Sequence, residues 1–145
     1  MADTMHIGIV GLGKMGSNMR ERMRAAGLTV TGYDPPTPRV VWVMVPSGAI
    51  TDSVITDVSA LLEPGDLVID GGNTRFTDDQ LHRDQLAKLK ISFVDVGVSG
   101  GIWGLDNGYG LMAGGDKDDI ERAMPIFDAL RPEGPRDEGF VHAGP

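Results

Sequence analysis

Three glycines in the run Gly11-Leu12-Gly13-Lys14-Met15-Gly16 are spaced to hold a pyrophosphate. Gly11 permits a tight turn, Gly13 lets the backbone approach phosphate oxygens, and Gly16 lets helix and strand pack closely. The run follows an apolar strand over 6–10 and opens a segment of helical periodicity over 14–26. The first turn of such a helix offers unpaired N–H groups and the positive end of its dipole to an anion. Asp34 ends a second strand over 28–34, at the separation of a carboxylate that accepts hydrogen bonds from a ribose. Strand, glycine turn, helix and acidic residue in register predict dinucleotide binding. Further on, Gly71-Gly72-Asn73 and Ser99-Gly100-Gly101 each follow an apolar strand, as does Val45-Pro46-Ser47. Asn73 and Ser99 can orient a polar ligand, although neither titrates usefully near neutrality. Each also has a plainer role, Asn73 as a turn residue tolerant of left-handed backbone and Ser99 as a local turn hydroxyl.

These turns share an edge only if the strands before them lie parallel in one sheet, and the remaining pattern supports that. Met15, Met19 and Met23 form a stripe for the sheet, Arg20, Arg22 and Arg24 lie on the solvated side, and Gly27 caps the helix. Residues 40–45 are continuously apolar, as in a central strand covered on both faces. Between them and Asp34 stand only residues 35–39, whose reach is at most about 18 Å. A parallel return normally needs a dozen or more residues. The expectation is therefore a missing helix-strand unit after the second strand, or unlisted residues, with a proline-rich hairpin to an antiparallel strand as the alternative. A helix over 49–62 has Ile50, Val54, Val58 and Leu61 at helical spacing, and a strand over 66–70 follows. Thr77 and Gln80 form a capping box that opens a helix to about residue 90, and a strand over 91–96 comes next. A strand within 109–113 precedes a helix capped by Asp116, with Ile120, Met124, Phe127 and Leu130 inward and a kink or a division at Pro125. Beyond residue 130 the chain is polar and rich in Pro and Gly, with no clear element. The predicted fold is α/β, a Rossmann-like open and mostly parallel sheet with flanking helices. One dinucleotide-binding domain spans residues 1–145.

The 145 residues suffice for one domain with a real core, and 41% hydrophobic with 23% charged residues is a globular composition. The net charge of −8 argues against nonspecific nucleic-acid binding, and no apolar run reaches membrane-spanning length. The chain has no cysteine, which rules out disulfides and thiolate catalysis and fits a cytoplasmic setting. His6, His82 and His142 read as a strand entrance, a helix surface and a loop, and no cluster in the sequence suggests a metal site.

The motifs Gly11-Leu-Gly-Lys-Met-Gly16, Asp70-Gly-Gly-Asn73, Gly97-Val-Ser-Gly-Gly101 and Gly110-Leu-Met-Ala-Gly-Gly115, in that order, resemble the coenzyme domain of 6-phosphogluconate dehydrogenase. The stretch over 102–109 is similar to the shorter bacterial form. The resemblance implies NAD as cofactor, with NADP possible, and a sugar-acid phosphate as the small-molecule partner. It assigns Gly11, Leu12, Gly13, Lys14, Met15 and Gly16 to the pyrophosphate and Asp34 to the adenosine ribose. Val45, Pro46 and Ser47 become cofactor walls, Asn73 touches cofactor and sugar acid, and Ser99, Gly100 and Gly101 hold the substrate. The implied reaction oxidises 6-phosphogluconate at C3 and decarboxylates the product to ribulose 5-phosphate, in the pentose phosphate pathway. Related β-hydroxyacid and imine-type reductases share the phosphate glycines but usually lack the Gly-Gly-Asn turn. A noncatalytic nucleotide-binding module is the reading from a different class. The family's catalytic lysine follows the Gly-Pro at which this sequence stops, and its homo-oligomer forms through a helical domain not present here. Lys14, Lys88, Lys90 and Lys117 do not occupy that place, so the chain alone is expected to bind but not turn over.

Overall fold

In the computed structural model, residues 5–11, 13–30 and 38–145 are described. Leu12, Asp34 and most of the short linker lie outside that set, so the ribose carboxylate and the missing unit are not tested by it. Seven strands form one sheet: β1 His6–Val10, β2 Thr29–Val30, β3 Val40–Val43, β4 Leu67–Asp70, β5 Ser92–Ser99, β6 Gly110–Gly114 and β7 Phe140–Gly144, ordered β2-β1-β3-β4-β5-β6-β7. β1 pairs parallel with both β2 and β3, and β3, β4 and β5 continue parallel. The hairpin alternative for β3 is thus wrong: it lies beside β1, not beside β2. β6 runs antiparallel to β5, and β7 runs parallel to β6.

Helices cover both faces. On one side α1 (Lys14–Ala25) and α5 (Lys117–Leu130) bring Met19, Met23, Ile120, Phe127 and Leu130 onto Ile7, Trp42, Leu67 and Ile69. On the other, α2 (Ala49–Ser59) and α3 (Phe76–Lys88) bring Ile55 and Leu86 onto Val43, Val68 and Phe93. β3 and β4 send alternate side chains into the two cores, which is why their sequences are apolar without a gap. A short helix, α4 (Gly104–Asn107), returns the chain to β6.

Several expectations need correction. α2 ends at Ser59 and buries Thr51, Ile55 and Ser59, while Ile50 and Leu61 are exposed. Of the apolar stripe only Val54 and Val58 pack against the core, partly buried, and the Thr51 hydroxyl beside them is satisfied by the Pro46 carbonyl at 2.9 Å. α3 begins at Phe76 after Arg75, so Thr77 lies inside it and is not its cap. Arg22 is not solvated: it donates to the carbonyls of Leu105 and Arg131 and ties α1 to the β5–β6 connection. Arg24 donates to the Val30 carbonyl. Pro125 does not divide α5, and Ile126 is buried beside the expected residues while Met124 is only half-buried. β7 was not foreseen. Phe140 secures it by stacking on Phe127 with ring centroids 5.1 Å apart. His142 therefore belongs to a strand, and its Nε2 lies 2.8 Å from the Gly115 carbonyl.

Candidate functional site

β1, β3, β4 and β5 are parallel neighbours, so the turns at Gly11, Val45–Ser47, Gly71–Asn73 and Ser99–Gly101 stand side by side along one sheet edge. Chain connection reverses direction about β1, with β2 on one side and β3 on the other. The crevice at such a switch point is where open α/β sheets bind ligands.

The three motif glycines divide into two kinds. Gly11 has φ +94°, and a Cβ there would overlap the Met44 carbonyl oxygen. A Cβ at Gly16 would overlap the Gly11 carbonyl oxygen. Both are required by the protein's own packing. Gly13 is different: its φ is −65°, and a Cβ there meets no described atom within 4 Å. Packing among the described residues does not account for it, and a group lying against the backbone would. Behind it, α1 has no acidic residue in its first turn and no side-chain cap. The N–H groups of Lys14, Met15 and Gly16 have no acceptor within the helix and face the same edge. A dinucleotide pyrophosphate fits this cradle. Pro46 and Ser47 are exposed beside it, and Val45 is partly buried against the α2 core.

The next turn is shaped from within. A Cβ at Gly71 would overlap the Trp42 indole, and one at Gly72 would lie 2.5 Å from the Val45 carbonyl oxygen. Asn73 has φ +56°. Its side-chain oxygen accepts from the Val98 N–H at 2.9 Å, and its amide donates to the Val98 carbonyl at 3.3 Å. Asn73 thus first clamps β4's turn to β5, and only its remaining N–H and lone pairs stay open to a ligand. Ser99, Gly100 and Gly101 are exposed where β5 ends, and Gly100 and Gly101 have φ of +141° and +53°.

Arg39, the cation nearest the linker, does not join this edge. It enters β3 at the opposite end, where its Nε donates to Asp66 Oδ2 at 2.8 Å and its backbone N–H to Asp66 Oδ1 at 2.6 Å.

A second group of side chains, below the Gly71–Asn73 turn, went unnoticed in the sequence. Asp70, Asp79 and His82 are all buried. The Asp70 carboxylate accepts from the Gly72 N–H at 2.8 Å and the Thr74 hydroxyl at 2.7 Å. His82 is not on a helix surface: only 4% of it is exposed, and its Nε2 lies 2.8 Å from Asp52 Oδ1. Burial, then the carboxylates of Asp95, Asp70 and Asp78, pushes Asp79 up to about 7, with Arg83 opposing. Burial likewise raises Asp95, against the pull of Arg83. The available signal was Asp79 and His82 at i, i+3 on one helix face, and Asp95 inside an otherwise apolar strand.

A family profile described as the NAD binding domain of 6-phosphogluconate dehydrogenase matches residues 6–40 and 36–132. An NAD(+)-dependent, decarboxylating 6-phosphogluconate dehydrogenase of Bacillus subtilis is 32% identical over 169 aligned residues, covering 96% of this chain and 36% of that protein. The NADP(+)-dependent, decarboxylating enzyme of the same organism is 32% identical, covering 86% and 33%. Among solved structures, 3-hydroxyisobutyrate dehydrogenase of Mycobacterium tuberculosis superposes with a TM-score of 0.84 at 26% identity, covering 97% of this chain and 55% of that one. The chain spans between about a third and just over half the length of the curated relatives it matches. No helix among the described residues is long and apolar enough to cross a membrane. With the profile matched over most of the chain and a phosphate cradle in the matching place, the chain belongs to the family of NAD-binding domains of 6-phosphogluconate dehydrogenase and its 3-hydroxyisobutyrate dehydrogenase-like relatives.

Proposed function

We propose that this chain is the coenzyme-binding part of a 6-phosphogluconate dehydrogenase that uses NAD. The observation that carries the reading is the open space that the described residues leave at Gly13, between two glycines that packing requires. The Lys14–Gly16 amides hold the pyrophosphate, Asp34 accepts hydrogen bonds from the adenosine ribose, and Val45, Pro46 and Ser47 wall the crevice. Asn73, braced on Val98, and Ser99, Gly100 and Gly101 orient the sugar acid. When bound, NAD supplies the hydride acceptor for oxidation of C3, and the resulting β-keto acid loses carbon dioxide. In this reading a base and a closing domain come from sequence beyond these residues, as the greater length of the relatives suggests. The family profile matches in two segments, residues 6–40 and 36–132, that meet at the linker, which supports a helix-strand unit missing there. A cytoplasmic metabolic role suits this assignment.

The cofactor preference follows from charge. A carboxylate at Asp34 accepts from a free 2′-hydroxyl and repels a 2′-phosphate. Arg39 cannot offset that repulsion, because it is bound to Asp66 at the far end of β3. Calorimetric titration should show NAD binding more tightly than NADP, with Asp34→Ala narrowing the gap. NADP binding tenfold more tightly than NAD would contradict it.

The likeness to 3-hydroxyisobutyrate dehydrogenase supports a second reading, a smaller β-hydroxyacid as substrate. The Gly-Gly-Asn turn favours the sugar acid. Saturation-transfer NMR on the NAD-loaded chain separates the two: contact with 6-phosphogluconate supports the first, and contact with 3-hydroxyisobutyrate alone supports the second.

A further inference from the structure

We propose that Asp70, Asp79 and His82 form a binding site for one divalent cation of the zinc type, between the end of β4 and helix α3. One ligand atom from each lies within 4.8 Å of the other two, and the residues are 2%, 8% and 4% exposed. Modest side-chain adjustment closes that spacing around metal–ligand bonds of about 2.0–2.2 Å.

Among the described side chains of α3 the buried stripe is Asp79, His82 and Leu86, while Leu81, and Leu89 at the helix end, are left in solvent. A helix laid on a sheet ordinarily buries its leucines, and burying unsatisfied polar groups is costly. Here two polar atoms of the cluster, Asp79 Oδ1 and His82 Nδ1, are buried with no hydrogen-bond partner. Both are acceptors once His82 Nε2 carries its proton toward Asp52. A cation satisfies what no donor among the described residues reaches. The Asp52–His82 pair is the arrangement that fixes a ligating imidazole: a carboxylate holds one ring nitrogen and leaves the other's lone pair free. Asp52 lies on α2, so this support comes from a different element than the ligands.

Two carboxylates and one imidazole suit zinc and similar transition ions better than magnesium or calcium, which prefer all-oxygen shells. Three protein ligands leave a position for water, and an adjoining cavity of about 310 Å³, lined by Asp70, Asn73, Thr74, Asp79 and Asp95 among others, provides room and an entry path. Because Asp70 also holds Gly72 and Thr74, a bound cation would stiffen the turn that carries Asn73.

The test uses the 145-residue chain stripped with chelator and titrated with zinc chloride against a chromophoric zinc indicator. The expected result is one zinc per chain, with affinity falling at least tenfold in Asp79→Asn and in His82→Gln and unchanged in Asp84→Asn, an exposed position on the same helix. Cobalt(II) should give the visible bands of a low-coordinate nitrogen–oxygen site, and equimolar magnesium should not displace it. If circular dichroism shows all variants folded and each binds zinc as the native chain does, the proposal is overturned. If His82→Gln does not fold, an undiminished affinity in the isosteric Asp79→Asn, or a native-chain cobalt spectrum no different from the aquo ion, overturns it equally.

Discussion

Gly13→Val should lower NAD affinity by at least about 100-fold, near 2.7 kcal/mol, while leaving the fold intact. The backbone at Gly13 is extended, with φ −65° and ψ −170°, and so outside the left-handed region that favours glycine. The added carbons meet no described atom within 4 Å and so project into the crevice, where the pyrophosphate must approach the backbone. Gly11→Ala and Gly16→Ala should behave in the opposite way. Their Cβ atoms overlap backbone carbonyl oxygens, so these variants lose stability before affinity can be measured. Urea unfolding and calorimetric titration of the three variants separate a ligand requirement from a packing one. A folded Gly13→Val that binds NAD within a few-fold of the native chain would reduce the whole motif to packing.

Asp66→Asn should destabilise the chain by about 3–5 kcal/mol, the usual cost of removing one partner from a buried ion pair. Asp66 is fully buried at the entrance to β4, where it accepts from the Arg39 N–H, the Arg39 guanidinium and the Glu63 N–H. An amide of the same shape turns an NH₂ toward that ring of donors and leaves the guanidinium only the exposed Glu63 carboxylate, 3.7 Å from its Nη2. Out of a typical total of about 5–15 kcal/mol this is a large share. The urea midpoint should fall by about 1–3 M. NAD affinity should change little in the remaining folded protein, since Asp66 lies at the opposite sheet edge from Gly13. A loss below about 1 kcal/mol would show that the pair is not the brace its geometry implies.

The parallel sheet and its ligand edge were legible because they rest on short-range signals. An apolar run followed by Gly11, Gly71 or Ser99 reports both strand and turn, and the continuous apolar residues of β3 and β4 reflect two covered faces. β7 was not legible: Phe140 and Val141 are a short apolar pair among Pro and Gly, and what makes them a strand is a distant partner, β6, and the Phe127 ring. The role of Asn73 was half legible. Its type marks a turn and a hydrogen-bonding group, but its clamp on Val98 depends on β5 lying next to β4. Arg22 and His82 were misread for one reason. A charged or polar residue on a helix reads as solvated unless its tertiary partners are known, here the Leu105 carbonyl and Asp52. Asp34 and Leu12 lie outside the described residues, so their roles stand as proposals.

The most direct measurement is an amide chemical-shift map of the isotopically labelled chain titrated with NAD. The account predicts saturable shifts concentrated at Gly11, Gly13 to Gly16, Val45, Ser47, Gly48 and Gly71 to Asn73, with Arg39 and Asp66 at the far edge unmoved. No saturable shift at Gly13 to Gly16, or shifts centred elsewhere, would contradict it.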